Sequence, residues 1–346
     1  MSRESPRFVP AGSLVEITAR TIGGRYLVAP GKELNAGIWT ILGRALSMYP
    51  LELHAVAFMS NHWHALVSVA DGEALARFVQ YVHSNVARLV HRLRGTDGSV
   101  FAKAAYIMVG AASEEERLSY VLSQGVKEGL VRRCVDWPGV HSARALLLEQ
   151  VCTGRWQDRR RAHTLRAGGG RGGGREPLRG EIEVVYPVDF APLPTWRGLD
   201  TAERQQRLKA IVDDIERTAR STYPSVLGVA GVLAVDPSTK PAQRKRGSAP
   251  PIHTINEDER ARFTDRQIAF ISMFQLARSD LRGQGFARLP AGCFAPIPPF
   301  SEASTMLWLI RRQGVERGRR APGSRNSREG GQLSRVLWRP SSSSTR

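Results

Sequence analysis

The pattern of apolar positions divides the first part of the chain into six elements. Two segments repeat apolar residues every three to four positions, which predicts amphipathic helices at Leu34–Tyr49 and Gly72–Arg94. Four shorter apolar segments predict strands at Ser13–Thr21, Leu51–Met59, His62–Val69 and Ala104–Gly110. The order β-α-β-β-α-β is typical of a ferredoxin-like α+β fold, in which one antiparallel sheet carries two helices on one face. The second and third strands then form a central hairpin that turns at Ser60-Asn61.

A third helix is predicted after the fourth strand, over residues 114 to 124. Ser113 starts a capping-box signature, and Gly125 can take the left-handed conformation that ends a helix. Tyr120 and Gln124 are four residues apart, so we expect them on one face of this helix. A phenol and an amide are thereby predicted to point the same way.

Composition divides the chain into four parts. A first domain is predicted at 8–150, followed at 151–189 by a flexible linker that is rich in arginine and contains two glycine triplets. Residues 190–300 show helical patterns and predict a small, mostly helical domain, for which a DNA-binding helix-turn-helix is one interpretation. Residues 301–346 combine arginine with Gly, Ser and Pro, which predicts a disordered basic tail.

The charge of the chain favours a polyanionic partner. The net charge is +18 over 346 residues, and residues 1–150 contribute only +3 of it. Nucleic acid is therefore the leading partner, although a solvated basic surface or a disordered tail would have the same composition. The three cysteines are far apart, which suits a reducing compartment, and neither a membrane span nor the apolar core of a signal peptide is found. These features favour a cytoplasmic protein without a membrane partner and leave the number of subunits open.

Two histidines stand one residue apart in the third predicted strand, within the sequence AFMSNHWHALVSV. Side chains alternate along a strand, so His62 and His64 project from one face while Trp63 and Ala65 point to the other. Two adjacent imidazoles indicate a divalent metal site. Half-buried histidines that bond to their neighbours give the same pattern, so this interpretation needs further residues.

Further motifs in the sequence supply such residues, because together they resemble a known family. The sequences FMSNHWH, YVLSQGVKEGLV and DWP together resemble the single-tyrosine transposases of the His-hydrophobic-His superfamily, and most closely the branch of REP-associated tyrosine transposases, also called IS200-like. That branch typically has a motif such as NPVKAGLV before DWP. This chain has Gln124-Gly125 in place of the Asn-Pro pair, and the resemblance covers about residues 8 to 145.

The resemblance implies a transposase that cuts and rejoins single-stranded or hairpin DNA. The implied nucleophile is Tyr120, which would form a 5′-phosphotyrosine. The implied cofactor is Mg²⁺ or Mn²⁺, held by His62, His64 and Gln124. Three basic residues after the tyrosine helix are expected to contact DNA phosphates, namely Lys127, Arg132 and Arg133.

Other interpretations stay open from the sequence. A replication initiator or relaxase shares the histidine pair and the tyrosine chemistry. A catalytically inactive DNA-binding relative is also possible, because Phe101–Gly110 lacks the aromatic and basic residues that the family more often has there. A tyrosine on an amphipathic helix is by itself more often structural, and Tyr81 and Tyr106 are the other candidate nucleophiles. His54, on the preceding strand, either supports the metal ligands or is simply partly buried.

Overall fold

The computed structural model of the protein describes residues 6–148, 150–168, 175–241, 250–284, 287–293 and 306–308. The strands within these residues are β1 (Leu14–Arg20), β2 (Leu51–Phe58), β3 (His62–Val69), β4 (Ala105–Val109), β5 (Thr153–Gln157), β6 (Glu183–Pro187), β7 (Ile252–His253), β8 (Ala287–Leu289) and β9 (Met306–Trp308). The helices are α1 (Lys32–Met48), α2 (Gly72–Arg94), α3 (Glu114–Leu122), α4 (Ala143–Leu148), α5 (Arg159–Ala167), α6 (Arg179–Ile182), α7 (Thr201–Thr222), α8 (Gly228–Leu233) and α9 (Glu257–Gln284).

The central sheet has the strand order β2-β3-β1-β4-β7. Its first four strands pair antiparallel, and β7 joins the edge of the sheet parallel to β4. The predicted α+β class and the β-α-β-β-α-β order are confirmed, with element ends within two residues of the predicted ones for the strands and α2. Helices α1 and α2 cover one face, because their apolar stripes pack on the buried side chains of alternate strand positions, such as Ile17, Phe58 and Trp63.

The opposite face of the sheet carries a second core. Leu66 of β3 and the apolar residues of α3 lie in it, together with three residues of α7, namely Leu208, Val212 and Ile215. These three are spaced by four and three positions, so they form one stripe along α7. Helix α7 was predicted to belong to a separate helical domain at 190–300, but this stripe packs into the same core as the sheet.

Residues 151–189 differ from the predicted flexible linker. Strands β5 and β6 pair antiparallel and pack against α1. Gly154 approaches α1 so closely that an added Cβ atom would lie 2.3 Å from the Cα atom of Thr40, whose Oγ1 accepts a hydrogen bond from Arg155 N (3.0 Å). Glycine here permits close packing and arginine points outward to Glu183, so the composition that predicts a linker instead serves a hairpin. The glycine triplets at 168–170 and 172–174 lie almost entirely outside the described residues.

The predicted tail at 301–346 also lies outside the described residues, apart from β9, which pairs antiparallel with β8. In the part of the chain that the structure describes, no helix combines the length and apolar content needed to cross a membrane.

Candidate active site

The histidine pair lies on the sheet face that α3 covers. His62 stands opposite Arg20 of β1, and His64 stands opposite Thr18 of β1 and Ala57 of β2. Trp63 packs in the core of the other face, as strand alternation predicts. The two imidazole rings are 5.1 Å apart between centroids and nearly perpendicular. His64 is buried and His62 is half-buried, so both rings are partly shielded from water.

Small side chains on β2 allow α3 to approach the sheet. Ala55 and Ala57 occupy the positions beside Leu66 and His64, and α3 packs directly on β2 and β3. The ring of Tyr120 is thereby brought to 5.4 Å from the ring of His64, in an edge-on arrangement. The sequence pattern therefore places the candidate nucleophile next to the candidate metal ligands.

Gln124 completes this group of side chains. Its side chain is fully buried, and its Oε1 atom lies 3.3 Å from Nε2 of His62. Gln124 was predicted to lie in the helix, but α3 ends at Leu122, so Gln124 belongs to the following turn. Its Nε2 atom donates a hydrogen bond to the carbonyl oxygen of Tyr120 (2.9 Å), which keeps the amide on the tyrosine side of the chain.

The turn after Gln124 depends on Gly125, which stands where the motif that this sequence resembles has proline. Gly125 has φ = +87°, the left-handed conformation that the sequence predicts, and proline cannot adopt it because its ring holds φ near −65°. Trp137 of the DWP motif packs on Gly125, where an added Cβ atom would lie 2.9 Å from the indole. The same indole donates from Nε1 to the carbonyl oxygen of Phe58 (2.9 Å). The motif therefore fixes the turn that holds Gln124.

The start of α3 differs from the prediction. Ser113 precedes the helix but makes no side-chain cap. Its Oγ atom instead accepts a hydrogen bond from the backbone N–H of Ile255, two residues beyond β7 (3.0 Å). The pairing of β7 with β4 brings the backbone N–H of Ile255 close to Ser113, so the serine hydroxyl bonds to this segment instead of to the first turn of α3.

Both histidines are oriented by oxygen atoms on their Nδ1 side. Nδ1 of His62 lies 2.7 Å from Oδ1 of Asn61, and Nδ1 of His64 lies 2.9 Å from Oε1 of Glu16. A proton on Nδ1, donated to these acceptors, leaves the lone pair on Nε2 for a metal; Nε2 of His62 also faces an oxygen, Oε1 of Gln124. Burial, with the neighbouring His64, lowers the pKa of His62 to about 3, so its ring is neutral at pH 7.

The donor set fits a divalent metal ion. Among the residues that the structure describes, no group of three or more His, Cys, Asp and Glu side chains could hold a metal. The amide oxygen of Gln124 faces Nε2 of His62, and its role as a third metal ligand stays a prediction. Two imidazoles and one amide oxygen would leave further positions for phosphate oxygens, which suits Mg²⁺ or Mn²⁺, and the imidazoles would also accept zinc.

Replacing Gln124 by leucine is expected to lower Mn²⁺ affinity by about 10- to 100-fold, the scale of losses when metal-site contacts are removed. Leucine has a similar size but no oxygen to donate. Gln124→Asn is the matched variant and should show an intermediate affinity, because its amide oxygen is one methylene short. Calorimetric titration of each full chain with Mn²⁺ gives the comparison. Equal affinity of wild type and Gln124→Leu would contradict the ligand assignment.

Positive charges surround the phenol and the histidine pair. The Nζ atom of Lys127 lies 3.5 Å from the centroid of the Tyr120 ring, and the guanidinium of Arg117 lies 5.0 Å from it. Arg20 stands opposite His62 on β1, and its charge contributes to the lowered pKa of His62. Cations in this arrangement suit a phosphate group. Lys127 was predicted as a DNA contact and this stays a prediction, whereas Arg117 and Arg20 were not singled out from the sequence.

The other two predicted DNA contacts lie away from the histidine pair. Arg132 donates hydrogen bonds to the carbonyl oxygens of Tyr223 (3.1 Å) and Pro224 (3.0 Å), so it secures the end of α7. Arg133 forms an exposed ion pair with Asp136 (2.8 Å). Their contact with DNA stays a prediction.

The alternative tyrosines and His54 are also placed by the fold. Tyr81 and Tyr106 pack against the core on the opposite face of the sheet, so neither faces the histidine pair. His54 is buried, and its ring bonds to Ala191 O (3.0 Å) and Ser68 Oγ (2.7 Å). Among the described hydrogen bonds, none joins Tyr81, Tyr106 or His54 to a candidate metal ligand.

Comparison with protein-family models and with curated protein sequences gives no match. Among solved structures, the chain is similar to a REP-associated tyrosine transposase bound to a REP hairpin, with 14% identity and a TM-score of 0.34 over 43% of this chain and 86% of that one. It is also similar to a candidate transposase from Deinococcus radiodurans, with 18% identity and a TM-score of 0.24 over 32% of this chain and 89% of that one. The first of these structures belongs to the branch of transposases that the sequence motifs resemble. At these scores the similarity concerns part of the fold and says nothing about activity.

Proposed function

We propose that this protein is a DNA transposase that cuts and rejoins single-stranded DNA through a covalent 5′-phosphotyrosine at Tyr120. The observation that supports this proposal is the position of the Tyr120 ring, 5.4 Å from that of His64 and beside a group of two imidazoles and one amide, of which His64 and Gln124 are buried and His62 is half-buried. A structural tyrosine has no need of such neighbours, whereas a nucleophile that attacks a phosphodiester does.

In this proposal His62, His64 and Gln124 hold a Mg²⁺ or Mn²⁺ ion. When bound, the ion supplies positive charge that polarises the scissile phosphate. Nδ1 contacts to Asn61 and Glu16 keep each Nε2 atom directed for this task. The neutral state of His62 also avoids repulsion between the ligand and the cation.

Tyr120 carries out the covalent step. Its phenolic oxygen forms a bond to phosphorus and loses its proton to water, while the bond from phosphorus to the 3′-oxygen breaks and that oxygen takes a proton from water to leave as a 3′-hydroxyl. Lys127 and Arg117 lie over the ring and favour negative charge on the phenol as its proton leaves. Because the phosphodiester energy is kept in the phosphotyrosine, the 3′-hydroxyl of another strand can reverse the step without ATP.

The test is the formation of a protein–DNA adduct. The full chain is incubated with a pool of 3′-labelled single-stranded hairpins, including sequences from beside its own gene, in Mn²⁺ or in excess chelator. We expect a labelled adduct that survives denaturing electrophoresis in Mn²⁺ and is absent in chelator, because the strand downstream of the cut stays attached through its 5′-phosphate.

Other results would change the conclusion. Adduct formation in chelator would overturn the metal assignment. Adducts that form without any joined strands would indicate a nicking enzyme of the initiator or relaxase type. Tight hairpin binding without an adduct would overturn the enzyme proposal and favour a DNA-binding relative.

A further inference from the structure

A line of buried and half-buried polar side chains runs from His64 away from the proposed metal site. Glu16 is almost fully buried, and its two oxygens have different partners. Oε1 lies 2.9 Å from Nδ1 of His64, and Oε2 accepts a hydrogen bond from Nη1 of Arg117 (3.0 Å). Nη2 of Arg117 in turn lies 2.6 Å from Nδ1 of His253. The four side chains form one continuous chain of contacts, His253–Arg117–Glu16–His64.

Three separate elements build this chain of contacts. Glu16 and Thr18 are two residues apart on strand β1, so they lie on the same face of the sheet. Thr18 pairs with His64, which places Glu16 on the face that carries the histidines. Arg117 stands three residues before Tyr120 on α3, so it contacts both Glu16 and the ring of the candidate nucleophile. His253 is 136 residues further along and arrives only because β7 pairs with β4.

Charge and burial explain why the contacts belong together. A carboxylate as buried as that of Glu16 is strongly destabilising without a cation, and Arg117 is the cation that contacts it. The half-buried Arg117 in turn has one terminal nitrogen held by Glu16 and the other by His253. Each side chain therefore limits the orientation of the next one, and the last in this series is the ring of His64.

We propose that Glu16, Arg117 and His253 are positioning residues for the metal site: Glu16 sets the orientation and tautomer of His64, Arg117 holds Glu16 relative to Tyr120, and His253 holds Arg117. This inference rests on the proposed function of the same site. It makes β7, which lies outside the predicted first domain at 8–150, part of the catalytic unit. The C-terminal half then contributes to the geometry of the site as well as to the positive charge.

The first test removes the buried ion pair. Glu16→Leu/Arg117→Leu exchanges it for apolar groups of similar size, a replacement that folds often tolerate. We expect Mn²⁺ affinity of the full chain, measured without DNA, to fall by about 10- to 100-fold. We also expect ¹⁵N spectra of the metal-free protein to change the His64 ring from one Nδ1-protonated tautomer to a mixture. The matched control is Arg166→Leu/Glu176→Leu, which removes an exposed ion pair and should change neither measurement.

The second test addresses His253. His253→Leu removes the acceptor for Arg117 and should lower Mn²⁺ affinity by about 3- to 10-fold, the scale of one hydrogen bond. His253→Asn can offer its Oδ1 atom near the position of Nδ1 and should restore affinity to within about twofold of wild type. A merely structural role of this residue would not be rescued by that single atom.

The Mn²⁺ affinity and the His64 tautomer are both measured without DNA, so they test the positioning role separately from the transposase proposal. A wild type that binds Mn²⁺ without forming an adduct would overturn the transposase, while a loss of affinity in the variants would still support the positioning role. If the wild type binds no Mn²⁺, the His64 tautomer decides. An unchanged tautomer and unchanged Mn²⁺ affinity in Glu16→Leu/Arg117→Leu would overturn the inference, whatever happens with DNA.

Discussion

Tyr120→Phe is expected to abolish the covalent protein–DNA adduct, with a loss of more than about 1,000-fold in adduct yield, since a removed nucleophile leaves only binding and electrostatic stabilisation. The ring itself is kept, so its contacts with His64 and with Lys127 survive. Hairpin affinity and thermal stability should therefore stay near wild type, because only one half-buried hydroxyl is lost. Denaturing electrophoresis of the labelled adduct, with a binding titration beside it, gives both results.

Tyr106→Phe is the matched control. Its ring packs on the opposite face of the sheet, beside Arg7, so its hydroxyl should have no part in the chemistry. Wild-type adduct formation is expected. If instead Tyr106→Phe loses the adduct and Tyr120→Phe keeps it, the nucleophile has been assigned to the wrong face.

The local sequence was sufficient for the parts of the site that depend on short-range periodicity. Strand alternation put His62 and His64 on one face because the period of two residues is a property of the extended backbone. The spacing of four put Tyr120 and Gln124 together, although Gln124 lies in a turn after α3. That error was small because the bond from the Gln124 amide to the Tyr120 carbonyl preserves the same proximity.

Long-range pairing decided what the sequence could not show. Glu16 alternates with apolar residues in β1, which predicts a polar face, but its partner follows only from the register of β1 with β3. His253 is still less visible, because a two-residue strand has too short a pattern to predict and its partner strand is distant. The hairpin of β5 and β6 was missed for a different reason, since glycine and arginine are common both in linkers and in strands that pack closely on a helix.

Both ends of α3 are secured by residues that do no chemistry themselves. At the first turn, Glu114 accepts hydrogen bonds from the backbone and hydroxyl of Thr195, and Glu115 accepts one from Nε1 of Trp196. In the turn that follows the helix, Trp137 packs on Gly125. A helix held at both ends can keep Tyr120 near His64 without a change of position when substrate binds. We therefore infer that the candidate metal ligands and the candidate nucleophile form one preorganised unit.

His62→Ala is expected to eliminate adduct formation at micromolar Mn²⁺ and to lower Mn²⁺ affinity by at least about 100-fold, because one of three donors is lost. His64→Ala should have the same effect on the metal and an additional effect on stability, since it leaves one oxygen of buried Glu16 without its partner. His91→Ala is the control, because His91 lies near the end of α2 and bonds to Thr96. Calorimetry with Mn²⁺, thermal unfolding and the adduct assay together distinguish the three variants. Wild-type Mn²⁺ affinity in His62→Ala would remove this imidazole from the metal site, and equal stability of the His62 and His64 variants would show that the contact with Glu16 contributes little to folding.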